Sequence, residues 1–444
     1  MSTTEPLRRK WVGVLVASVF FAALPASARG GVNEVLWERV VSFPQPGLLS
    51  GLQADFDGDG QDEILLHSGR RNDPSCVVVL DGLTGDELWR AEFPGRSCVV
   101  SAAVAGDGVP DVVVACGSEL SVLDGATGER LRGTTLRDPI GDLACARMDG
   151  PAIVYTAGRK RDDVLVVLAG DDLRELWSRG AASASGPFAR GFTHPSALDV
   201  DGDDRDEIVV AENGNHLLCL SGDGDLLWEV GLGRRERLNP EGVVSSLPVV
   251  ADFLGDGINE LAVGCFAGAV VVMDARTGET LERMQFGVES HESHLENTKI
   301  PRFIREALRV TGEPVNCLTP VELDGSPGDE LVLGCSDGFV YACDPGSGGV
   351  MWRFETLDSV YDPCLPVAGA VDPDGDAPLA VLAWDEDGVY LLDGRTGEAL
   401  PGLGDIAGAA RMLACDLDGT PGPDLVRIAP LGGRVTAWSL EVVP

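Results

Sequence analysis

Alternating carboxylates in short glycine-containing loops are the residues of this chain best suited to chemistry. In one loop Asp55, Asp57 and Asp59 occupy positions one, three and five. Gly60 permits a sharp turn, the Gln61 carbonyl falls at position seven, and Glu63 stands at nine. A second loop repeats the pattern with Asp199, Asp201, Asp203, the Arg205 carbonyl and Glu207, and has Asp204 at the turn position. Calcium takes about six to eight oxygen ligands at short range, which such spacing on a turning loop supplies. Weaker copies hold Asp252, Asp256 and Glu260 with Leu254 at three, and Glu322, Asp324 and Glu330 with Ser326 at five. Two more hold Asp372, Asp374 and Asp376 without a ninth acid, and Asp416, Asp418 and Asp424 with Thr420 at five. The expectation is two good calcium sites and several weaker ones. Position twelve is Leu66 or Val210, where an EF-hand needs glutamate, so these loops are not EF-hands.

Other constellations are weaker. Gly334-Cys335-Ser336-Asp337-Gly338 fits the nucleophile-elbow pattern, but apolar strand-like runs flank it on both sides, whereas an elbow leads into a helix. His291 and His294 lie three apart without a third ligand, as a solvated polar segment would. Three connections, 178–195, 231–246 and 287–316, are long and carry Arg234, Arg235, Arg237, Arg302, Arg305 and Arg309. Residues 298–310 read as a short helix with Phe303, Ile304, Ala307 and Leu308 on its apolar side. Arginines gathered this way on an acidic protein fit either a solvated, acid-paired surface or a face for an anionic partner. The eleven cysteines show no CxxC spacing and sit mostly in apolar runs, as small buried hydrophobes do. Cys76 and Cys98 are near enough in sequence to pair in an oxidising compartment.

The elements that must position these loops form a repeat. Residues 50–93 run as an apolar stretch, the acidic loop, Ile64-Leu65-Leu66, a turn, Val77-Val78-Val79-Leu80, Asp81-Gly82-Leu83-Thr84-Gly85, then Glu87-Leu88-Trp89. The order recurs from Asp199, Asp252, Glu322 and Asp372, with degenerate copies near Ala103 and Cys145 and a last one from Asp416. Each copy contains four short β runs, here called A to D. The acidic loop joins A to B and the Asp-x-x-Thr-Gly turn joins C to D. The last copy ends after three runs, while residues 35–40 resemble an isolated D run. The N-terminal strand is therefore expected to complete the last unit and close a ring. The expected fold is an all-β propeller of about eight four-stranded blades, with seven as the alternative.

Residues 1–28 read as a secretory signal peptide. Arg8, Arg9 and Lys10 precede an apolar run from Trp11 to Leu24 and the small residues Ala26-Ser27-Ala28. The expected mature chain, 29–444, is then one propeller domain with a helical insertion near 287–316. It is exported to an extracellular, periplasmic or cell-surface location, with no stable membrane insertion. Loss of the leader, including Glu5, moves the formal charge from −37 to −39, which disfavours nucleic acid as a partner.

The Asp-x-Asp-x-Asp-Gly-x-x-Glu loop followed by an apolar strand resembles the FG-GAP (VCBS) repeat, the calcium-binding blade of integrin α-type propellers. The Asp-x-x-Thr-Gly-Glu-x-x-Trp element, at 81–89 and partly at 274–281, resembles the blade motif of pyrroloquinoline-quinone-type propellers. These resemblances imply calcium-dependent rigidity and a non-catalytic binding module for a protein or acidic polysaccharide. The alternative is a propeller enzyme, a quinoprotein dehydrogenase or polysaccharide lyase. Quinoprotein dehydrogenases typically mark their cofactor site with adjacent cysteines, and the chain has neither a Cys-Cys pair nor a CxxCH motif, so no quinone cofactor is expected.

Overall fold

The computed structural model describes residues 34–43, 49–68, 74–106, 108–158, 163–181, 191–212, 215–233, 243–287, 314–356, 365–367, 380–385, 388–400, 411–419, 424–429 and 433–439. Their strands form eight antiparallel sheets, seven four-stranded and one three-stranded among the described residues. Blades 1 to 7 span 49–93, 97–135, 140–180, 192–231, 249–285, 315–355 and 365–393, the last being the three-stranded sheet. Blade 8 takes its A, B and C strands from 411–439 and its D strand, Glu34–Val40, from the other end of the chain. Trp37 lies opposite Ala437 and Val40 opposite Arg434, as the N-terminal closure requires. Among the described residues no helix is long and apolar enough to cross a membrane. The expected helix at 298–310 and the leader at 1–28 lie outside the described residues.

The inner strands are apolar without alternation because both faces are covered. In blade 1, Leu65, Val77 and Val79 pack on Val112, Val114 and Leu123 of blade 2. Their chain neighbours Ile64, Leu66, Val78 and Leu80 point the other way, onto Leu413, Val426 and Ile428 of blade 8. Successive side chains leave a strand on opposite faces, so one run feeds two inter-blade cores. Eight such cores follow one another around the molecule, and the one joining blade 8 to blade 1 completes the ring.

A second device fastens neighbouring blades. Trp89, on the D strand of blade 1, donates its indole N–H to Gly125 O in the C–D turn of blade 2, at 2.7 Å. Trp37 does the same to Gly82 O, Trp177 to Gly222 O, Trp228 to Ala275 O and Trp352 to Gly394 O. In blade 2 the equivalent position is Arg132, whose guanidinium reaches Gly170 O and Asp171 O. The ring of Trp37 lies over Gly85, where an added Cβ would come within 2.5 Å of it and where φ is +69°. Both the space and the backbone conformation therefore demand glycine.

The cysteines pack as the composition suggests, but Cys76 and Cys98 do not pair. Cys76 is buried toward blade 8, whereas Cys98 Sγ faces Gly141 O of blade 3 at 3.5 Å. None of the ten described cysteines is in a disulfide. Burial pushes the Cys145 and Cys219 thiols up to about 12, far from the reactive thiolate range.

Candidate metal centres

Each acidic loop is built around its first carboxylate. Asp55 Oδ1 accepts the Gly58 and Asp59 N–H groups at 2.6 and 3.1 Å, and Oδ2 accepts Gly60 N–H at 2.9 Å. Asp57 and Asp59 each cap an N–H two residues on, at Asp59 and Gln61. The loop of blade 4 superposes this scheme on Asp199, which accepts from Gly202, Asp203 and Asp204, while Asp203 accepts Arg205 N–H. Gly60 turns with φ +92°, and Asp204 fills the corresponding place with φ 65°. Aspartate is among the few residues that tolerate this conformation. The Arg205 side chain points away, to an ion pair with Asp149 at 2.8 Å.

The ninth-position acid has a structural role that spacing alone does not show. Glu63 Oε2 accepts the N–H of Phe56 at 2.8 Å, and Phe56 is fully buried between blades 1 and 2. Glu207, Glu260, Glu330 and Asp424 do the same for Val200, Leu254, Leu323 and Leu417. In blade 2, where the loop pattern is lost, Asp111 still takes the N–H groups of Val104 and Ala105. The only sequence signal for it is an acid at the head of the apolar Val112-Val113-Val114 run.

Four loops bring three carboxylate oxygens within 4.8 Å of one another: Asp55, Asp57 and Glu63; Asp199, Asp201 and Asp203; Glu322, Asp324 and Glu330; and Asp416, Asp418 and Asp424. The copies in blades 6 and 8, weaker by sequence, thus gather their carboxylates as closely as the two strong ones. Blade 5 keeps the same backbone skeleton, with Asp252 accepting from Asp256 and Gly257, but Leu254 leaves it without the position-three carboxylate that all four trios share. Asp372, Asp374 and Asp376 lie outside the described residues, as do His291, His294, Arg234, Arg235, Arg237, Arg302, Arg305 and Arg309.

Burial and the neighbouring aspartates load these loops with uncompensated negative charge. Desolvation, reinforced by Asp57, Asp59 and Asp55, pushes Glu63 up to about 7, against the opposing Phe56 N–H. Glu330 is pushed up to about 7, and Glu207 and Asp424 to about 6, by burial first and by their own loop carboxylates next. A divalent cation would relieve this charge. The donor set is all oxygen, without thiolate or imidazole, and so fits a hard ion such as calcium.

The loops also bind blade to blade. Asp62 N–H donates to Asp416 O at 2.8 Å, and Asp416 N–H returns a bond to Asp62 Oδ2 at 3.3 Å. Asp206 and Arg147 exchange the same pair of bonds between blades 4 and 3. Arg276 of blade 5 donates to Asp201 O of blade 4 at 2.8 Å. By contrast, 334–338 is a hairpin between Glu330–Cys335 and Phe339–Asp344, with Ser336 held by Asn316. It has no strand-to-helix elbow.

Comparison with known proteins agrees with the propeller. BamB from Moraxella catarrhalis superposes with a TM-score of 0.52 at 16% identity, covering 89% of this chain and all of that one. The quinohemoprotein alcohol dehydrogenase ADHIIG from Pseudomonas putida HK5 superposes with a TM-score of 0.60 at 13% identity, covering 93% of this chain and 76% of that one. At such identities the likeness shows fold alone. The β-alanine-activating enzyme of Danio rerio is 28% identical over 88 residues, which are 20% of this chain and only 8% of that protein. The resemblance to FG-GAP repeats rests on the acidic loops, whereas residues 33–297, more than half of the chain, match the sequence profile of a PQQ-like propeller family. The chain belongs to that family, described as outer membrane protein assembly factor BamB.

Proposed function

We propose that the protein is an exported, non-catalytic propeller scaffold that binds a partner and is stiffened by calcium in its acidic loops. The observation that carries the reading is the set of four carboxylate trios, each preformed by backbone hydrogen bonds and each left with charge to neutralise. Calcium would be held by Asp55, Asp57 and Glu63 and by their counterparts. In blades 1 and 8 it would brace the Asp62–Asp416 junction, where the chain ends close the ring. The family description, an outer membrane assembly factor, supports a cell-envelope location and a protein partner. The leader-like residues 1–28 and the absence of a Cys-Cys pair support export and a binding role without a quinone. The finer expectation is an anionic partner, an acidic protein or polysaccharide, engaging the arginine-bearing connections.

Melting of the mature protein in calcium and in chelator tests the first part. Calcium at about a hundred times its dissociation constant should add about 2.7 kcal/mol per independent site. Identical melting curves would overturn it. Pull-down and glycan binding with and without chelator test the second part.

A further inference from the structure

C–D turns bring their third residue to position three of the acidic loop in the preceding blade. In blade 6 that residue is Gly346, where an added Cβ would lie 4.0 Å from Leu254 Cδ2, position three of blade 5. In blade 5 it is Arg276, whose guanidinium donates to the main-chain oxygen of Asp201, position three of blade 4, at 2.8 Å. In blade 7 it is Arg395. The hydroxyl and N–H of Ser326, and then the charge of Arg395, hold Asp324 at position three of blade 6 below the usual carboxylate range. The turn of blade 2 packs on the blade 1 loop in the same way, since a Cβ on Gly125 would come within 2.7 Å of Phe56. Its third residue is Ala126. The turn of blade 1 sets Gly82 against Leu417 of blade 8, and its third residue is Leu83.

The four carboxylate trios therefore fall into two kinds. Those of blades 4 and 6 receive a guanidinium from the turn of the next blade, and those of blades 1 and 8 receive Ala126 and Leu83 at the same place. Arginine is charged throughout the pH range in which proteins stay folded. Arg276 bonds a neutral carbonyl, which leaves its charge to act on the loop carboxylates. Arg205, in the same loop, instead spends its charge on Asp149. A fixed cation and an incoming one compete for the same field. The guanidinium lowers the electrostatic cost of the empty loop and repels an ion that enters it, whereas an uncharged neighbour does neither.

We propose, on the calcium reading of these loops, that Arg276 and Arg395 are built-in counter-charges, which stabilise the empty loops of blades 4 and 6 and weaken their affinity for calcium. The affinity of a loop is then set partly by one residue of the next blade and not by its own carboxylates alone. The loops of blades 1 and 8 meet through the Asp62–Asp416 pair, where the chain ends close the ring. They have no counter-charge at that turn position and depend on the ion itself. Calcium thus acts most strongly at the closure, while blades 4 and 6 keep their loops in order without it.

Calcium titration of the full mature chain by isothermal calorimetry, together with melting in chelator, tests this. Arg276→Gln removes the charge and retains an N–H donor for Asp201 O. It should tighten one calcium site by about fivefold, as expected for an exposed guanidinium repelling a divalent ion, and lower the melting temperature in chelator. Arg276→Lys should return both values to those of the unmodified protein. Arg395→Gln should repeat the effect at a second site. Ala126→Arg, which sets a guanidinium against the blade 1 loop, should do the opposite, weakening one site by about fivefold. Calcium affinities that are the same in the unmodified protein and all these variants overturn the proposal while leaving calcium in the loops. An equal fall in melting temperature for Arg276→Gln in calcium and in chelator also overturns it, and makes Arg276 a fastener of blades 4 and 5 and nothing more. An unmodified chain that binds no calcium overturns the calcium reading and the proposal with it.

Discussion

Removing divalent cations at different pH values tests the electrostatics of the acidic loops directly. Glu63 and Glu330 are pushed up to about 7, and Glu207 and Asp424 to about 6. These folded-state values lie above the ordinary carboxyl range, so between about pH 4 and 7 the folded chain holds more protons than the unfolded chain. The stability these groups contribute is therefore fully present below that window and is lost as pH rises through it. For Glu63 the full effect is about 3 kcal/mol. Solvent at the exposed Asp57 and Asp59 screens it to about 1–2 kcal/mol. Four such loops together amount to about 4–8 kcal/mol, or roughly 5–9 °C in melting temperature for a chain of this length. In chelator the protein should melt lower at pH 8 than at pH 5.5 by about half of that, because pH 5.5 already lies inside the window. Calcium binds the ionised carboxylates, so in calcium the fall should vanish and the gap between the two curves should widen with pH. Scanning calorimetry at both values decides. A gap that is equal at pH 5.5 and 8 would refute the coupling of loop charge to cation binding.

Two further outcomes follow from the fold and the chain's charge. Deleting residues 35–41 should strip blade 8 of its D strand and leave an open edge, giving aggregates by light scattering; a monomer with unchanged melting would show that this strand does not hold the ring. Reversing Arg234, Arg235, Arg302 and Arg305 to glutamate together should abolish binding of an acidic protein or polysaccharide, binding that in the unmodified protein weakens as salt rises, while leaving calcium affinity unchanged. Retained binding would assign these arginines to solvent.

The ring and its closure are legible in the sequence because each blade buries both faces. That gives uninterrupted runs such as Val77-Val78-Val79-Leu80 at a steady interval, with an orphan D run at 35–40. The fasteners are not legible. Trp89 and the Asp81–Gly85 turn stand in one repeat, but Trp89 reaches the turn of the next blade, 36 residues on, and periodicity cannot distinguish contacts within a repeat from contacts between repeats. Nor does spacing show that the ninth acid anchors the loop through a backbone N–H, as Asp111 does where no cation loop remains. The pairing allowed for Cys76 and Cys98 fails for a similar reason. Nearness in sequence does not reveal that Cys76, on blade 1, faces blade 8 while Cys98, on blade 2, faces blade 3.

What separates a cation loop from a mere turn here is the residue at position three. Blade 5 retains the loop's hydrogen bonds, with Asp252 accepting from Asp256 and Gly257, Asp256 from Ile258, and Glu260 from Leu254. It differs from the four loops with trios in presenting Leu254 where they have Asp57, Asp201, Asp324 and Asp418. Leu254 is 38% exposed, so its replacement empties no core. Leu254→Asp should therefore create a fifth trio on an existing skeleton and raise the calcium bound per chain by one. The added charge should lower the melting temperature in chelator and raise it in calcium. Asp57→Leu should do the reverse and remove one ion. Equilibrium dialysis with metal analysis measures both, and an unchanged stoichiometry in Leu254→Asp would mean that something other than the third carboxylate limits binding in these loops.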